Sequence, residues 1–311
     1  MPARRWRIAA LAAVLMLAIA YGATSWVIVN QALVAEAHEF DHLPEELDLL
    51  YEDVEFQPRG GEDLTLRGWW LPAEGDGEPL GTVVWVHGLD STRAARLPFL
   101  ADLVANGFNV LTFDLRGHGQ SDKALMGAGL HEQNDVRGAI DYALNERGVV
   151  PGTLFLMGTS FGAAIVLLVG PDEPAVAGVY ADSSFATLGA MITEEVAKRT
   201  PLPRFAAGLL KPGLVLAGRV FKGIDLDAVE PVVAAARYPY RIGLTHCHTD
   251  ERIPFDHVVQ IRQNAPRGSS FVAYPCEHAE AYDAFPERYT ATVVDYFNAR
   301  LAEGPALQAT P

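Results

Sequence analysis

The residues with the most chemical promise lie at three separated points of the chain. Gly158-Thr159-Ser160-Phe161-Gly162 follows the apolar run Thr153–Met157 and opens an apolar, helix-forming stretch. A serine held between two glycines at a strand-to-helix junction suits a nucleophile, because the glycines remove Cβ atoms where backbones crowd and leave the hydroxyl exposed. The first amides of such a helix, beginning with that of Phe161, direct positive partial charge to the space where a developing anion would sit. A serine needs a base, and the base needs an orienting carboxylate. The run Arg241–Thr245 ends in His246-Cys247-His248-Thr249-Asp250, and the run Ser270–Tyr274 ends in Pro275-Cys276-Glu277-His278. Asp250 is therefore the candidate orienter and His278 the candidate base. The earlier segment Trp85-Val86-His87-Gly88-Leu89 turns at its glycine, so the Leu89 amide is the candidate partner of Phe161 in an oxyanion hole.

Groups this far apart must be gathered by the fold. From Tyr51 onward, short apolar β-rich runs alternate with longer helix-period stretches, the pattern of a mostly parallel sheet with helices on both faces. Leu64–Leu71 reads as an outer antiparallel strand paired near Tyr51–Gln57. Six inner strands follow at Thr82–Val86, Asn109–Phe113, Thr153–Met157, Val176–Tyr180, Arg241–Thr245 and Ser270–Tyr274. Helices are expected at Arg93–Asn106, His131–Arg147, Phe161–Val169, Pro254–Gln263 and Tyr282–Leu301. Between Ser184 and Arg237 the alternation stops for about fifty apolar, proline-punctuated residues, including Leu202, Phe205, Leu209 and Phe221, which reads as a small helical lid insertion. The division is an N-terminal stub and span over 1–30, a linker over 31–50, a sheet domain over 51–302 with the insertion at about 185–237, and a frayed tail over 303–311.

The set Val86-His87-Gly88, Asp114-Leu115-Arg116-Gly117-His118-Gly119-Gln120-Ser121, the Ser160 pentapeptide, Asp250 and His278 resembles the α/β-hydrolase superfamily over about Tyr51 to Leu301. Within it the chain is similar to membrane-anchored serine hydrolases of the esterase and prolyl-oligopeptidase-like branches. The order Ser, acid, His is that superfamily's. The resemblance implies an eight-stranded α/β-hydrolase fold, with Ser160 as nucleophile, His278 as base, Asp250 as its orienter, and Leu89 and Phe161 as oxyanion donors. It implies hydrolysis of carboxylic esters or thioesters on a small-molecule or lipid-like acyl substrate, without organic cofactor or metal. Peptide or amide cleavage and acyl transfer are the alternatives within the class. A non-catalytic membrane-anchored binding protein is the alternative outside it, and the complete set of three groups argues against that.

Two features near the acid admit other readings. His246, His248 and Asp250 form H-x-H-x-D, which an extended strand could direct to one face as zinc ligands, though this leaves the serine turn unexplained. The other reading is structural histidines. Cys247 and Cys276 end neighbouring strands, where a disulfide would fasten the acid loop to the base loop; two buried thiols are the alternative.

Ahead of the sheet, Ile8 to Val29 carries no charge, and as a helix it would reach about 33 Å, enough to span a bilayer. Arg4, Arg5 and Arg7 precede it and acidic residues from Glu36 to Asp48 follow, which places the N-terminus in the cytoplasm and the remainder outside. The alternative is a cleaved signal, with secretion. With 24 Lys+Arg against 39 Asp+Glu and a net charge of −15, the chain is a poor match for nucleic acid.

Overall fold

The computed structural model describes residues 2–36, 38–75, 77–199 and 208–304. Leu202, Phe205 and the tail beyond residue 304 lie outside the described residues. Among the described residues eight strands occur in chain order: β1 (Glu52–Phe56), β2 (Leu66–Leu71), β3 (Gly81–Val86), β4 (Phe108–Phe113), β5 (Leu154–Thr159), β6 (Val176–Asp182), β7 (Gly243–Cys247) and β8 (Ser270–Tyr274). Among the described residues the α-helices are α1 (Pro2–Ala32), α2 (Leu97–Ala105), α3 (Glu132–Asn145), α4 (Phe161–Val169), α5 (Leu188–Arg199), α6 (Lys211–Ala217), α7 (Pro231–Ala235), α8 (Asp256–Asn264), α9 (Ala281–Ala284) and α10 (Pro286–Glu303). Residues 35–187 and 229–311 form one compact unit, and residues 1–34 with 188–228 form another.

The larger unit holds the whole sheet, ordered β1-β2-β4-β3-β5-β6-β7-β8. β1 and β2 run antiparallel and β3 to β8 are parallel. This is the α/β-hydrolase architecture that the resemblance implies. Every residue of β3, β5, β6 and β7 is buried, which is why these runs are almost continuously apolar and carry no alternation. Trp85, Phe99, Phe108, Phe155, Tyr289 and Phe297 fill one side of the sheet, with Phe155 and Phe297 rings 4.5 Å apart. Burial of each such side chain contributes about 1.5–3 kcal/mol, so α10 is held firmly on the central strands. Because the inner strands are parallel, the ends of β3, β5, β6, β7 and β8 open at one edge of the sheet, where the chemistry of such folds collects.

Three of the boundaries that differ from the sequence reading have a clear physical cause. The helix expected from Arg93 begins at Leu97, because the Arg93 amide donates to Asp114 (2.6 Å) and Arg96 is left-handed (φ 64°). The closing helix expected from Tyr282 is two helices, α9 and α10, because Pro286 has no N–H to continue the first. The strand expected at Arg241–Thr245 is β7, two residues later, in register with β8 from Gly243 opposite Ser270 to Cys247 opposite Tyr274. A side chain at Gly243 would meet the Tyr180 ring at 2.2 Å, so only glycine can open this strand.

In the smaller unit, α1 is 31 residues long and contains a stretch of mean hydropathy 2.0. By length and composition it can cross a membrane, as an anchor or as a signal sequence. The insertion between β6 and β7 supplies α5, α6, a π-helical turn at Gly218–Lys222 and a 3₁₀ turn at Leu226–Ala228.

Candidate active site

Ser160 stands between β5 and α4 with φ 57° and ψ −116°, a conformation that L residues rarely adopt. The crowding around it explains both glycines. A Cβ on Gly158 would lie 2.5 Å from the Gly162 carbonyl carbon, and one on Gly162 would lie 2.2 Å from the Val86 carbonyl oxygen. The Ser160 amide donates to the Asp182 carbonyl at the end of β6 (2.8 Å), which fixes the turn against its neighbouring strand. Strain of this kind, of the order of 1–3 kcal/mol, persists only where the surroundings over-determine it.

The loops after β7 and β8 bring the other two groups to this serine. His278 Nε2 lies 2.9 Å from Ser160 Oγ, and His278 Nδ1 lies 2.7 Å from Asp250 Oδ2. In the tautomer consistent with this network, Nδ1–H donates to the carboxylate and Nε2 accepts the serine O–H. The second oxygen of Asp250 accepts the amides of Arg252 (2.9 Å) and Ile253 (2.7 Å), so the carboxylate cannot rotate away. A disulfide joins Cys247 to Cys276, with Cα atoms 5.0 Å apart, three residues before the acid and two before the imidazole. The Thr249 hydroxyl donates to the Cys276 carbonyl (2.6 Å) and the His248 amide to that of Tyr274 (2.8 Å), so the two loops are tied by covalent and hydrogen bonds. Behind the imidazole, the Arg96 guanidinium donates to the Ala279 carbonyl and pairs with Asp283.

The two amides expected to hold an oxyanion flank the serine. Phe161 opens α4 directly after Ser160. Leu89 follows Gly88, where a Cβ would be 3.4 Å from that of Ser160, so this segment runs past the hydroxyl. Among the described residues neither amide donates to a protein acceptor, which leaves both N–H groups for a ligand.

The loop carrying Leu89 is braced by two buried histidines. His87 Nδ1–H donates to the Gly88 carbonyl (2.7 Å) while Nε2 accepts the Leu115 amide (3.0 Å). Burial, and after it the neighbouring His118 ring, push its pKa down to about 3, so His87 is a neutral strut. His118 Nδ1–H donates to the Arg116 carbonyl and Nε2 accepts the Asp90 amide (3.3 Å); burial also holds its pKa below the usual histidine range. Asp90 in turn accepts the Glu36 amide at 2.9 Å, a contact between the start of the sheet domain's linker and the loop beside the serine. The Asp114–Ser121 segment is a scaffold: Asp114 accepts the amides of Arg93 and Gln120, and a side chain at Gly119 would strike its carboxylate at 2.3 Å. Further along, Arg116 pairs with the buried Asp135 (2.6 Å), and Glu132 accepts the amides of Gly127 (2.7 Å) and Gly129 (2.8 Å). Burial, then the nearby Asp135, raises the Glu132 carboxyl to about 7.

The H-x-H-x-D zinc reading does not survive the geometry. β7 ends at Cys247, so the expected alternation stops before His248, which is exposed and stacked on Phe255 (4.5 Å between ring centroids). His246 is buried, donates from Nε2 to the Ile253 carbonyl (2.8 Å) and stands 3.5 Å from Asp250. Burial lowers its pKa, so it acts as a neutral clamp on the acid loop. Arg96, Asp90 and His246 support the site without being among the catalytic candidates of its sequence motifs. For His246 the spacing to Asp250 was the available signal; the contacts of the other two join residues distant in the chain.

Comparisons with known proteins agree with this architecture. Residues 77–224 match the family described as Serine aminopeptidase, S33. The chain is 28% identical to YfhR of Escherichia coli strain K12 over 256 residues, 79% of this chain and 80% of that one. Among solved structures, the Pyrococcus furiosus esterase Pf2001 superposes with a TM-score of 0.69 at 20% identity, covering 86% of this chain and 97% of the esterase. A Pyrococcus horikoshii acylaminoacyl peptidase superposes with a TM-score of 0.57 at 14% identity, over 78% of this chain and 39% of the peptidase.

Proposed function

We propose that the chain is a serine hydrolase of the α/β-hydrolase superfamily, anchored in a membrane and cleaving carboxylic esters or thioesters through an acyl-enzyme on Ser160. The observation that carries the reading is the unbroken relay from Ser160 Oγ through His278 to Asp250, at 2.9 Å and 2.7 Å. As Oγ attacks the acyl carbonyl, His278 Nε2 takes its proton, and Asp250 stabilises the imidazolium that forms. The carbonyl oxygen becomes an anion facing the Leu89 and Phe161 amides. The imidazolium then gives its proton to the departing alcohol or thiol. A water, deprotonated by the same imidazole, releases the acid and restores the serine.

The ester reading draws support from an esterase neighbour that matches over nearly its whole length. The serine aminopeptidase match favours an amide bond as the second reading. The mechanism is common to both, so the leaving group decides between them.

The anchor reading draws on the length of α1 and on arginines confined to its N-terminal side, a charge distribution that favours a cytoplasmic N-terminus. A disulfide in the sheet domain fits an oxidising compartment on the other side. A cleaved signal fits less well: its apolar run is about 7–15 residues, and α1 is packed against the insertion along its C-terminal part.

The test is turnover by the purified full-length chain of p-nitrophenyl esters of graded acyl length beside aminoacyl anilides, with Ser160→Ala as control. Ester hydrolysis that exceeds anilide hydrolysis and disappears in Ser160→Ala is expected. Faster anilide cleavage would move the assignment to a peptidase, and turnover that persists in Ser160→Ala would remove the serine from the mechanism.

A further inference from the structure

The insertion between β6 and β7 carries an apolar face that its own packing leaves uncovered. Leu209, Leu216, Val220 and Phe221 are 69%, 62%, 65% and 58% exposed. Side chains of this size on a short insertion form a patch that water disfavours and that marks an interaction surface. What lies beside the patch decides what covers it. The Tyr21 hydroxyl of α1 donates to the Leu209 carbonyl (2.7 Å) and accepts the Gly213 amide (2.8 Å), and Lys222 Nζ donates to Asn30 Oδ1 (2.7 Å). A Cβ at Gly213 would meet Ser25 Oγ at 2.4 Å and the Tyr21 ring at 2.5 Å, so the glycine permits close approach of α6 to α1. Residues 209 to 222 thus run alongside α1 from the level of Tyr21 to that of Asn30.

The depth of that level follows from helix geometry. Trp6 and Trp26 are exposed on α1, and twenty residues at about 1.5 Å each set them about 30 Å apart, the thickness of a hydrocarbon core with an aromatic at either interface. Tyr21 lies five residues before Trp26, about 7.5 Å inside that boundary, and Asn30 lies four residues after it, about 6 Å outside. A segment pinned between those levels straddles the interface, with Leu209 on the hydrocarbon side and Val220 and Phe221 beside Lys222 at the headgroup level. The charges fit this placement because they are paired: Lys211 with Asp227 at 3.3 Å and Arg219 with Asp225 at 2.8 Å. The exposed apolar face of α1, including Val14 and Leu17, leads directly to the same level.

We propose that the insertion face bearing Leu209, Leu216, Val220 and Phe221 is immersed in the lipid leaflet from which α1 emerges, an inference that rests on reading α1 as a membrane span. The insertion is then an interfacial element, lying at the depth of about 5–10 Å that amphipathic helices reach. α1 and residues 209–222 enter the bilayer as one body.

The experiment uses the full-length chain in phosphatidylcholine–phosphatidylglycerol nanodiscs, with single cysteines carrying an environment-sensitive nitrobenzoxadiazole label. The native cysteines are disulfide-bonded and do not react. Leu216→Cys and Phe221→Cys probe the face, Val14→Cys the middle of α1, and Val150→Cys the exposed surface of the sheet domain. Val220→Cys replaces either face variant whose melting departs from wild type. The face labels are expected to be quenched by shallow doxyl lipids at least about twofold more than the Val150 label and to be shielded from iodide. Face labels as accessible to iodide as the Val150 label, with the Val14 label still quenched by lipid, would overturn the proposal and leave the anchor standing. Labels shielded from both quenchers would place protein on the face, a second copy included, and would equally overturn it. A Val14 label open to iodide would refute the anchor reading and the proposal together.

Discussion

Breaking the Cys247–Cys276 bridge should act on stability and on chemistry by separable amounts. The bond spans a sequence separation of 29 residues. In the chain-entropy relation, closing a loop of that size removes about 12 cal/mol/K from the unfolded ensemble, or about 3.6 kcal/mol at 25 °C. A body of roughly 240 residues unfolds with an entropy of about 0.5 kcal/mol/K, so the melting temperature should fall by about 7 °C. The chemical effect is smaller. Without the bridge, the Thr249 hydroxyl still holds the Cys276 carbonyl and the His248 amide still holds that of Tyr274. Acid and imidazole therefore stay adjacent but loosen, and the rate of acylation should fall about tenfold, below the roughly 100-fold that a 1 Å misplacement can cost. The assay compares oxidised chain, reduced chain and the Cys247→Ala/Cys276→Ala double variant by thermal melting and by the rate of covalent labelling with a fluorophosphonate. Alkylation and mass analysis verify complete reduction. A fully reduced chain that melts within about 2 °C of the oxidised one would refute the entropic reasoning, and an unchanged labelling rate would refute the claim that the bridge holds the site in register.

Three further outcomes follow from the same geometry. Asp250→Asn should keep the fold and lower kcat by about 10³- to 10⁴-fold, because an amide cannot hold the imidazole in the required tautomer; steady-state ester hydrolysis measures it, and a loss under about tenfold would contradict the assigned role. Glu132 has a carboxyl raised to about 7 from 4.5, so the folded state holds a proton that the unfolded state releases. Its contribution to stability is therefore fully present below about pH 4.5 and fades as pH rises through about 7, a change on the order of 2–3 kcal/mol. Urea unfolding at pH 5 and pH 8 should show that fall relative to Glu132→Gln, and parallel pH profiles would contradict it. Asp90→Ala frees the loop bearing the Leu89 amide from the Glu36 amide while leaving its backbone bond to His118 in place, and should lower kcat about tenfold with little change in KM; an unchanged kcat would show that the loop needs no such support.

Much of this arrangement was legible from the chain because parallel strands impose a rule on their ends. Once the apolar runs at Val83–Val86, Leu154–Met157, Val176–Tyr180 and Ser270–Tyr274 are taken as strands buried on both faces, residues just past them must share one edge. Ser160, Asp250 and His278 meet there, 118 and 28 residues apart in the two contacts. The glycines at 158 and 162 were readable for the same reason, since a tight strand-to-helix turn leaves no space for Cβ. What stayed hidden depends on register and on distant contacts. The two-residue displacement of β7 comes from its pairing with β8, and it puts His246 in the core and His248 in solvent, which no local pattern distinguishes. Arg96 reaches the Ala279 carbonyl across 183 residues, and Tyr21 reaches Leu209 across 188. The break before Pro286 was available in the sequence and was outweighed by the helical period on either side.

The central claim is that Ser160 is made nucleophilic by His278, and the most direct measurement is the site and rate of fluorophosphonate attachment to the full-length chain. Peptide mass mapping should find a single adduct on Ser160, absent in Ser160→Ala and slowed at least about 10³-fold in His278→Ala with the melting temperature unchanged. An adduct on another residue, or labelling of His278→Ala at the wild-type rate, would contradict the account.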